Sequence, residues 1–371
     1  MSILKTKPKY YSLRKILDKH AQYNIIIGER SNGKTYAVLE YAIKEYFTNK
    51  TELAIIRRFN EDFKGRRGAS MFESLVDNHV VEKYSKGEWT GVYYYSSRWY
   101  FCRYDEHGNR IKSENPFAYG FSLSQSEHDK STSYPRIKTI LFDEFITRTL
   151  YLDDEFIIFS NVLSTIIRQR DDIKIFMLGN TVSKYACPYV DEMGLKHFKQ
   201  MKQGDIDIYR YGDSGLTVAV EYCSPNRDGK PSNKYFAFDN PKLSMITGGS
   251  WEIDVYPHLP AKYKPKDIVM YFYVYFSHEW LKCEIITLSD MQFIYVHPQT
   301  KPLTDDEKRN AIIFSPEYNP LPNWIRRITE PRTKITKRIA ALLYEDRVYY
   351  ATNDTGEILR NYLLWCTKSE L

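Results

Sequence analysis

The chain has 371 residues, of which 43% are hydrophobic and 27% charged, and its formal net charge is +6. This length allows two domains, and the apolar stretches are far shorter than the roughly 18 residues of a membrane-spanning helix. The five cysteines are dispersed and odd in number, which favours reduced, inert thiols over a disulfide framework or a zinc site. The N-terminal residues lack a secretory apolar core, so we expect a cytoplasmic protein with no membrane partner.

An apolar run at residues 24–27 leads into a segment typical of phosphate-binding loops. The segment reads Gly28-Glu29-Arg30-Ser31-Asn32-Gly33-Lys34-Thr35 and precedes a helical pattern over residues 35–47. The glycines let successive backbone N–H groups point at phosphates near a helix N-terminus. Lys34 would contact the β- and γ-phosphates, and Thr35 would contact Mg²⁺. The segment therefore predicts that the chain binds a nucleoside triphosphate such as ATP.

Residues 23–179 alternate between strand-like and helix-like patterns, which indicates an α/β fold with a mostly parallel sheet. Continuous apolar runs are typical of strands that are buried on both faces. They lie at residues 24–27, 53–56, 139–142 and 173–178. Residues 88–121 read as an antiparallel hairpin elaboration of this core, and residues 206–223 alternate again and could close the domain.

Two polar segments of this first domain are candidates for contacts with phosphates. Lys64, Arg66 and Arg67 are three cations on a glycine-flanked loop, which suits contact with a DNA backbone but is equally compatible with a solvated loop. Residues 122–133 are small and polar, as in a mobile lid, and Lys130 would be able to reach a phosphate from there. An ordinary polar loop fits residues 122–133 equally well.

The apolar strand predicted at residues 139–142 ends in the carboxylates Asp143 and Glu144, the arrangement known as Walker B. Asp143 would hold the Mg²⁺ hydration shell, and Glu144 would polarise the attacking water. The alternative is that two solvated acids without a catalytic role end the strand. Because a phosphate-binding loop lies upstream, the pair favours a P-loop NTPase of the ASCE type that hydrolyses its nucleotide.

Asn180 and Arg168 are two further site candidates. Asn180 follows the apolar run at residues 173–178. Because the carboxyl ends of parallel strands meet at one sheet edge, Asn180 could sense the γ-phosphate or orient the water. A plain turn-forming Asn is the alternative. Arg168 follows a helix-like segment; it is a candidate arginine finger, although a surface cation at a helix end is the more common occurrence.

The remaining residues predict a linker and a second domain. Residues 224–260 are dense in turn formers, so we place the first domain at 1–223, a linker subdomain at 224–260 and a smaller α+β domain at 261–371. The last domain contains strand patterns at residues 268–276, 281–287, 293–296 and 347–351, with helices at 333–344 and 357–365. Its acidic residues, Asp267, Glu279, Glu284 and Asp290, are scattered and do not suggest a two-metal cluster.

Several segments together resemble the DNA packaging (encapsidation) ATPases of small tailed bacteriophages of the phi29 type. The resemblance covers roughly residues 20–185 and is faint beyond them. It rests on the phosphate-binding loop, Ile56-Arg-Arg58, Lys130-Ser-Thr-Ser-Tyr-Pro135, Phe142-Asp-Glu-Phe145, Ile167-Arg-Gln-Arg170 and Leu178-Gly-Asn180.

The resemblance implies a pentameric ring at the portal vertex of a procapsid in the host-cell cytoplasm, where it pumps double-stranded DNA inward as ATP is hydrolysed. The portal (connector) protein would be a partner, and some relatives also dock on a structural packaging RNA. The residue matching Arg168 would act in trans on a neighbour's nucleotide, and the one matching Lys130 would act between subunits. The C-terminal domain would be RNase H-like and nuclease-derived but would not cleave DNA.

Two other functional classes remain open from the sequence. One is a different P-loop DNA motor, such as a helicase or a nuclease-active large terminase, which predicts unwinding or cleavage. The other is a scaffold that binds nucleotide to assemble but hardly turns it over. The adjacent carboxylates Asp143 and Glu144 argue against the scaffold.

Overall fold

The computed structural model describes residues 11–125, 132–147, 151–181, 187–223, 256–289 and 291–367. These residues form two compact units, one within residues 11–223 and the other within residues 256–367, with Cys187 assigned to the second unit. Each unit has its own sheet and its own apolar core. The predicted linker subdomain at 224–260 lies outside the described residues except for 256–260, so the three-part domain division stays a prediction.

The first unit alternates strands with helices along the chain. Its strands are β1 (Tyr23–Gly28), β2 (Glu52–Arg57), β3 (Gly91–Tyr95), β4 (Arg98–Tyr104), β5 (Arg110–Lys112), β6 (Ala118–Ser122), β7 (Ile137–Asp143), β8 (Lys174–Asn180), β9 (Ile206–Tyr211) and β10 (Leu216–Tyr222). Its helices are α1 (Arg14–Leu17), α2 (Lys34–Asn49), α3 (Arg66–Ala69), α4 (Glu73–Asp77), α5 (Val80–Ser85), α6 (Glu155–Ile167) and α7 (Pro188–Glu192).

These strands form one mostly parallel sheet, which confirms the predicted α/β fold class. The order is β3-β4-β6-β2-β7-β8-β1-β10-β9, with β5 paired to β4. Neighbours from β6 through to β10 are parallel, and the pairs at both edges are antiparallel. The antiparallel hairpins predicted within residues 88–121 are confirmed by the pairs β3–β4 and β4–β5. The description of the whole segment as an elaboration of the core is corrected by β6, which pairs in parallel with β2 inside the main sheet.

Helices cover both faces of the central strands. Leu141 of β7 belongs to the apolar cluster that contains Val38 of α2, whereas the adjacent Phe142 stacks on Phe159 of α6 with 5.0 Å between ring centroids. Successive side chains of a strand point to opposite faces, so a strand covered on both sides needs apolar residues at every position. Burying each such side chain contributes roughly 1.5–3 kcal/mol. This is why the four apolar runs predicted these strands correctly.

The second unit is an α+β unit with a mixed sheet. Its strands are β11 (Ile268–Phe276), β12 (Glu279–Leu288), β13 (Met291–Pro298), β14 (Ile313–Phe314), β15 (Trp324–Ile325) and β16 (Val348–Tyr350). Its helices are α8 (Asp305–Asn310), α9 (Lys334–Tyr344) and α10 (Asn353–Cys366). The sheet order is β15-β14-β11-β12-β13-β16, with β11, β12 and β13 antiparallel and the other pairs parallel. The RNase H-like assignment of this unit stays a prediction.

The cysteines and the helices can be compared with the sequence-based expectations. All five cysteines are free and buried, as expected. Among the described residues, no helix combines the length and the apolarity needed to cross a membrane.

Candidate functional site

The phosphate-binding loop connects β1 to α2, as the sequence predicts. Gly33 has a φ of +91° at the N-cap of α2, a left-handed conformation that glycine adopts without steric cost. Ser31 also has a positive φ, +58°. The Asn32 Oδ1 atom accepts a hydrogen bond from the backbone N–H of Lys34 at 3.2 Å. The loop therefore ends at the N-terminus of a 16-residue helix, where the helix dipole and free N–H groups favour an anion.

Lys34 is the buried cation of this loop. Its side chain donates to the carbonyl oxygens of Gly28 at 3.2 Å and Glu29 at 2.6 Å, and to Asn180 Oδ1 at 3.4 Å. Burial lowers the pKa of Lys34, while the nearby Cys223, Asp143 and Glu29 oppose that shift. A phosphate would offer this ammonium a stronger, charged acceptor than neutral carbonyls do.

Gly28 is needed for a close approach as well as for loop flexibility. A Cβ atom at this position would lie 2.3 Å from Sγ of Cys223, which follows β10. The Cys223 thiol donates to the Ile27 carbonyl at 3.1 Å and accepts from Asn32 Nδ2 at 3.0 Å. Burial raises the pKa of Cys223 to about 11, so the thiol stays protonated and supports the loop by packing.

Thr35 and Asp143 lie together at the end of the loop. Thr35 Oγ1 donates to Asp143 Oδ2 at 3.2 Å, which brings together a hydroxyl and a carboxylate that are 108 positions apart in the chain. Hard oxygen donors of this kind suit Mg²⁺, which is usually held by one or two carboxylates together with substrate phosphates. The side chains present therefore fit the predicted magnesium site.

Sheet register places Arg57 beside the two carboxylates of Asp143 and Glu144. Ile56 pairs with Phe142 between β2 and β7, so Arg57 comes next to Asp143 at the carboxyl ends of the strands. Arg57 forms ion pairs with Asp143 at 2.9 Å and with Glu144 at 3.0 Å. Asp143 is nearly buried, whereas 63% of the Glu144 side chain is exposed. The two acids thus share one guanidinium.

Arg58 lies inside the unit and contacts the backbone that follows Asp143. It donates to the carbonyls of Glu144 at 3.3 Å and Phe145 at 3.0 Å. Its Nε and Nη2 atoms donate to the two carboxylate oxygens of Glu155, each at 2.8 Å. Hydrogen bonding to Glu155 and the charge of Glu155 outweigh the large opposing effect of burial and raise the pKa of Arg58.

Asn180 lies where the sequence places it. It pairs with Gly28 across β8 and β1, and Thr181 donates its backbone N–H to the Gly28 carbonyl at 3.2 Å. Its contact with Lys34 brings an amide to the phosphate-binding loop. Whether it senses the γ-phosphate or orients water stays a prediction.

The loop, the carboxylates and Asn180 line one cleft of about 620 Å³. This volume lies within the range of pockets that hold nucleotide-sized ligands. The cleft is lined by Arg30, Ser31, Asn32, Gly33, Lys34, Thr35, Tyr36, Arg58, Asp143, Glu144, Ile146, Thr147, Leu178, Gly179 and Asn180.

Arg168 lies away from this cleft. It follows α6 and lines a separate depression with Tyr23, the first residue of β1, whereas the cleft is at the other end of that strand. Five residues of strand rise separate Tyr23 from Gly28, about 17 Å. Arg168 is exposed and donates to the carbonyls of Thr132 and Thr165. Among the described residues, those that line the cleft do not include Arg168.

Arg170, two residues further on, is held by the main chain. It donates to several backbone carbonyls, among them those of Pro135 at 2.7 Å and Ile137 at 2.8 Å at the start of β7. Of the two arginines in this segment, Arg168 is therefore the one that is exposed.

The basic segment is a short helix rather than the predicted glycine-flanked loop. Arg66 and Arg67 begin α3, directly after Gly65, whose φ is +55°. Lys64 pairs with Glu61 at 3.0 Å, and 64% of the Lys64 side chain is exposed. The segment folds because Gly68 packs against Tyr94 and because the indole of Trp99 donates to the Gly68 carbonyl at 2.9 Å. The three cations remain at the surface, and their contact with DNA stays a prediction.

Lys130 lies outside the described residues, as does half of the predicted lid, residues 126–131. The sequence patterns assigned no functional role to four residues that the structure places at or beside the site, namely Arg57, Arg58, Glu155 and Cys223. For Arg57 and Arg58 a signal was available, because both residues directly follow the apolar run at residues 53–56. In a parallel sheet this strand ends at the same edge as the strand that carries Asp143. Glu155 and Cys223 carried no comparable signal.

A model of the family described as the podovirus DNA encapsidation protein (Gp16) matches residues 5–195, about half of the chain. The chain belongs to this family. The family match contains the phosphate-binding loop, both carboxylates, Arg168 and Asn180. The family resemblance seen in the sequence is thereby confirmed.

Curated relatives of the chain carry a consistent description. The chain is similar to the DNA packaging proteins of Bacillus phages phi29 and PZA, each 25% identical over 185 residues, or 48% of this chain and 48% of the relative. It is also similar to the DNA packaging protein of Bacillus phage B103, 25% identical over 194 residues, 50% of this chain and 53% of the relative. The chain spans about half the length of the curated relatives it matches.

Two solved structures share the fold over nearly the whole chain. One is described as the Phi-28 gp11 DNA packaging motor; it has a TM-score of 0.55 at 18% identity and covers 98% of this chain and 100% of that chain. The other is described as the bacteriophage Phi-29 viral genome packaging motor assembly, with a TM-score of 0.56 at 17% identity, covering 95% and 96%. These likenesses agree with a P-loop fold for the first unit.

Proposed function

We propose that this protein is an ATPase that drives double-stranded DNA into a preformed procapsid. The observation that carries the proposal is the single cleft that joins the phosphate-binding loop to Thr35, Asp143 and Glu144, in a chain of the DNA encapsidation family. The exposed carboxylate of Glu144 beside the nearly buried carboxylate of Asp143 supports hydrolysis, since an exposed carboxylate can reach an attacking water.

The loop would bind the triphosphate. Lys34 would exchange its two carbonyl acceptors for the β- and γ-phosphates, and the N–H groups of residues 29–34 would hold the phosphate oxygens. Glu144 would accept the proton of the attacking water, and Asn180 would orient that water or contact the γ-phosphate. Each role follows from the position of the side chain at the edge of the sheet.

Thr35 and Asp143 would hold Mg²⁺ between them. The ion, when bound, would neutralise charge on the β- and γ-phosphates. The hydroxyl and the carboxylate already lie within hydrogen-bond distance of each other, which supports a shared ligand at this point. Asp143 would have to exchange its ion pair with Arg57 for the metal, at least in part.

Arg168 would complete the site of a neighbouring subunit. It is exposed at the end of α6 that is remote from its own cleft, which supports action in trans within a ring. A guanidinium that contacts the transferred phosphoryl group in trans can be worth about 10³ to 10⁵ in kcat. A pentameric ring is the assembly that the family resemblance implies.

The remaining partners follow from the family. Lys64, Arg66 and Arg67 are surface cations that would contact DNA phosphates, and Lys130 would act from the lid. The ring would assemble in the host cytoplasm on the portal protein of the procapsid, with a structural RNA as a further partner in some relatives. The C-terminal unit would be a nuclease-derived domain without cleavage activity.

The first experiment measures steady-state ATP hydrolysis by the full chain with and without double-stranded DNA. We expect Glu144→Gln to lower kcat by about 10² to 10⁴ while nucleotide binding is retained. Glu106→Gln, which changes an exposed acid on the turn after β4, is the matched control and should leave hydrolysis unchanged. Hydrolysis that survives Glu144→Gln would overturn the assigned chemistry.

A mixing experiment tests the proposed ring. Arg168→Ala protein is mixed with Glu144→Gln protein, each of which should be inactive alone, and Arg14→Ala, another exposed arginine of the first unit, replaces Arg168→Ala as the control for active protein. An Arg168→Ala subunit keeps its Glu144, and a Glu144→Gln neighbour would supply Arg168, so the mixture should regain hydrolysis if the finger acts in trans. A mixture that stays inactive would contradict a finger that acts in trans.

A further inference from the structure

We propose that Arg58 is a positioning residue that aims the Glu144 carboxylate, and that Glu155 and Tyr189 hold Arg58 for this task. The inference rests on the proposed role of Glu144 in hydrolysis and names the device that fixes its geometry. The contacts involved join β2, the turn after β7, the start of α6 and α7.

Glu144 has a backbone conformation that needs support. Its φ is +62°, a left-handed conformation that costs a non-glycine residue roughly 1 kcal/mol or more. Glu144 follows the last residue of β7, and the turn is tied to the sheet where the Phe145 N–H donates to the Leu178 carbonyl at 3.1 Å. This conformation sets the direction in which the side chain of Glu144 leaves the backbone, and Arg57 contacts the carboxylate at its far end.

Arg58 holds the two successive peptide groups that follow the Cα atom of Glu144. Its Nη1 atom donates to the Glu144 carbonyl at 3.3 Å and its Nη2 atom to the Phe145 carbonyl at 3.0 Å. Both carbonyls are held by one planar group, so their relative orientation is set by the guanidinium. A lysine ammonium could not reproduce this fork.

The other side of the guanidinium is anchored by a buried carboxylate. Glu155, the first residue of α6, is 1% exposed and accepts from Nε and Nη2 of Arg58 at 2.8 Å each. The Glu155 carboxylate also accepts hydrogen bonds from the Tyr189 hydroxyl at 2.7 Å and from the Leu152 N–H at 2.8 Å. The Tyr151 ring lies 5.0 Å from the guanidinium carbon. Arg58 is therefore locked in one orientation.

Stability alone does not explain this arrangement. A buried ion pair is weak evidence for stability, because a well-packed apolar pair of similar volume often serves as well. The pair is placed where a small displacement matters, since a shift of about 1 Å at a reacting group can cost about 10²-fold in rate. Arg58 thus acts through the backbone of Glu144 rather than on the reacting atoms.

The test separates positioning from stability with the double variant Arg58→Met/Glu155→Leu, which replaces both partners by apolar side chains and leaves no buried charge unpaired. We expect a melting temperature within a few degrees of wild type and a nucleotide dissociation constant within about threefold, with kcat lower by about 100-fold. A folded double variant that keeps kcat within threefold of wild type would overturn the proposal.

The matched control is Arg136→Met/Glu52→Leu. Glu52 is also buried in the sheet and pairs with Arg136 at 2.6 Å, at the opposite end of β2 from the cleft. This control should leave kcat unchanged whatever its effect on the melting temperature. An equal loss of kcat in both double variants would show that any perturbed ion pair slows the enzyme, and this would also refute the proposal.

Tyr189→Phe decides the question if the double variant does not fold. It removes one hydrogen bond to Glu155 and keeps the aromatic packing around Phe142 and Phe159. We expect kcat to fall about five- to tenfold with unchanged nucleotide affinity, whereas wild-type kcat would refute the proposal. Loss of hydrolysis in Glu144→Gln combined with normal hydrolysis in the Arg58 and Tyr189 variants would refute this inference alone and leave the proposed function standing.

Discussion

Arg57 forms an ion pair with Glu144, with 3.0 Å between Nη1 and Oε2. The same guanidinium contacts Asp143 at 2.9 Å, so the two adjacent carboxylates of the candidate site share one cation. The pairing follows from the register of β2 and β7, which aligns the ends of the two strands. Any cation that binds Asp143 must therefore compete with Arg57.

This competition predicts the magnesium dependence of hydrolysis. In Arg57→Ala, Asp143 loses its competing cation, so we expect the Mg²⁺ concentration that gives half-maximal hydrolysis to fall by about three- to tenfold. That range corresponds to the roughly 0.7–1.4 kcal/mol of a partly buried ion pair. Arg136→Ala, which removes an arginine from an ion pair outside the cleft, should leave the value unchanged. An unchanged or higher value in Arg57→Ala would contradict the competition.

A second prediction concerns the packing of the phosphate-binding loop on β10. Gly28→Ala would place a Cβ atom 2.3 Å from Cys223 Sγ, and overpacking of this kind costs about 1–3 kcal/mol of unfolding free energy. Adding Cys223→Ala removes the sulfur, so the double variant should recover part of that loss. Gly91→Ala is a matched control, since its Cβ would lie 3.3 Å from Cys102 Sγ and should cost less. Urea unfolding gives the unfolding free energies of wild type, of the two single variants, of the double variant and of the control, and additive losses for Gly28→Ala and Cys223→Ala would disprove the contact.

DNA binding by the basic segment predicts a change in salt dependence. Replacing Lys64, Arg66 and Arg67 with alanine should weaken binding to any duplex sequence and reduce the slope of log K against log salt by about 2–3. The control changes three exposed lysines elsewhere in the first unit, Lys44, Lys83 and Lys86. Fluorescence anisotropy over a salt titration gives both slopes. Equal slopes for the two triple variants would show that Lys64, Arg66 and Arg67 do not contact DNA.

Glu284 predicts how the second unit responds to acid. Its carboxylate accepts hydrogen bonds from Tyr263 at 2.8 Å and Lys282 at 3.0 Å, and His297 lies 3.5 Å away. The hydrogen bond with His297, followed by those from Lys282 and Tyr263, outweighs burial and lowers the pKa of Glu284 to about 2. The ionised carboxylate therefore adds stability above its ordinary pKa of 4.5, and this contribution is lost as the pH falls from 4.5 towards 2.

The corresponding measurement compares the melting temperatures of wild type and Glu284→Gln across pH. The variant should be less stable at pH 6, and the difference should narrow steadily between pH 4.5 and pH 2. A difference that stays constant over this range would contradict the lowered pKa.

The central strands and the phosphate-binding loop could be predicted from the sequence because their signals are local. A strand buried on both faces needs an uninterrupted apolar run, and the glycine and lysine spacing of the loop directly encodes its geometry. Strand β6 was harder to predict. Its sequence, Ala118-Tyr-Gly-Phe-Ser122, interrupts the apolar run with Gly120, where a Cβ would come within 2.9 Å of the Phe63 ring.

The candidate site was only partly predictable for a different reason. Thr35, Asp143 and Asn180 each end or follow a predicted element at one edge of the sheet, so their convergence followed from topology. The contacts of Arg57 and Arg58 depend on the register of β2 against β7, and a one-residue slip would move each side chain to the other face. Cys223 meets Gly28 across 195 positions of sequence, a pairing that no local pattern specifies.

A DNase protection assay tests DNA packaging itself: purified procapsids that carry their portal are incubated with double-stranded DNA, ATP and this protein. We expect protected DNA with wild-type protein and ATP, and none with Glu144→Gln or without ATP. ATP hydrolysis without protection, or a duplex that is unwound or cleaved instead, would contradict a packaging motor and favour a helicase or a nuclease-active terminase.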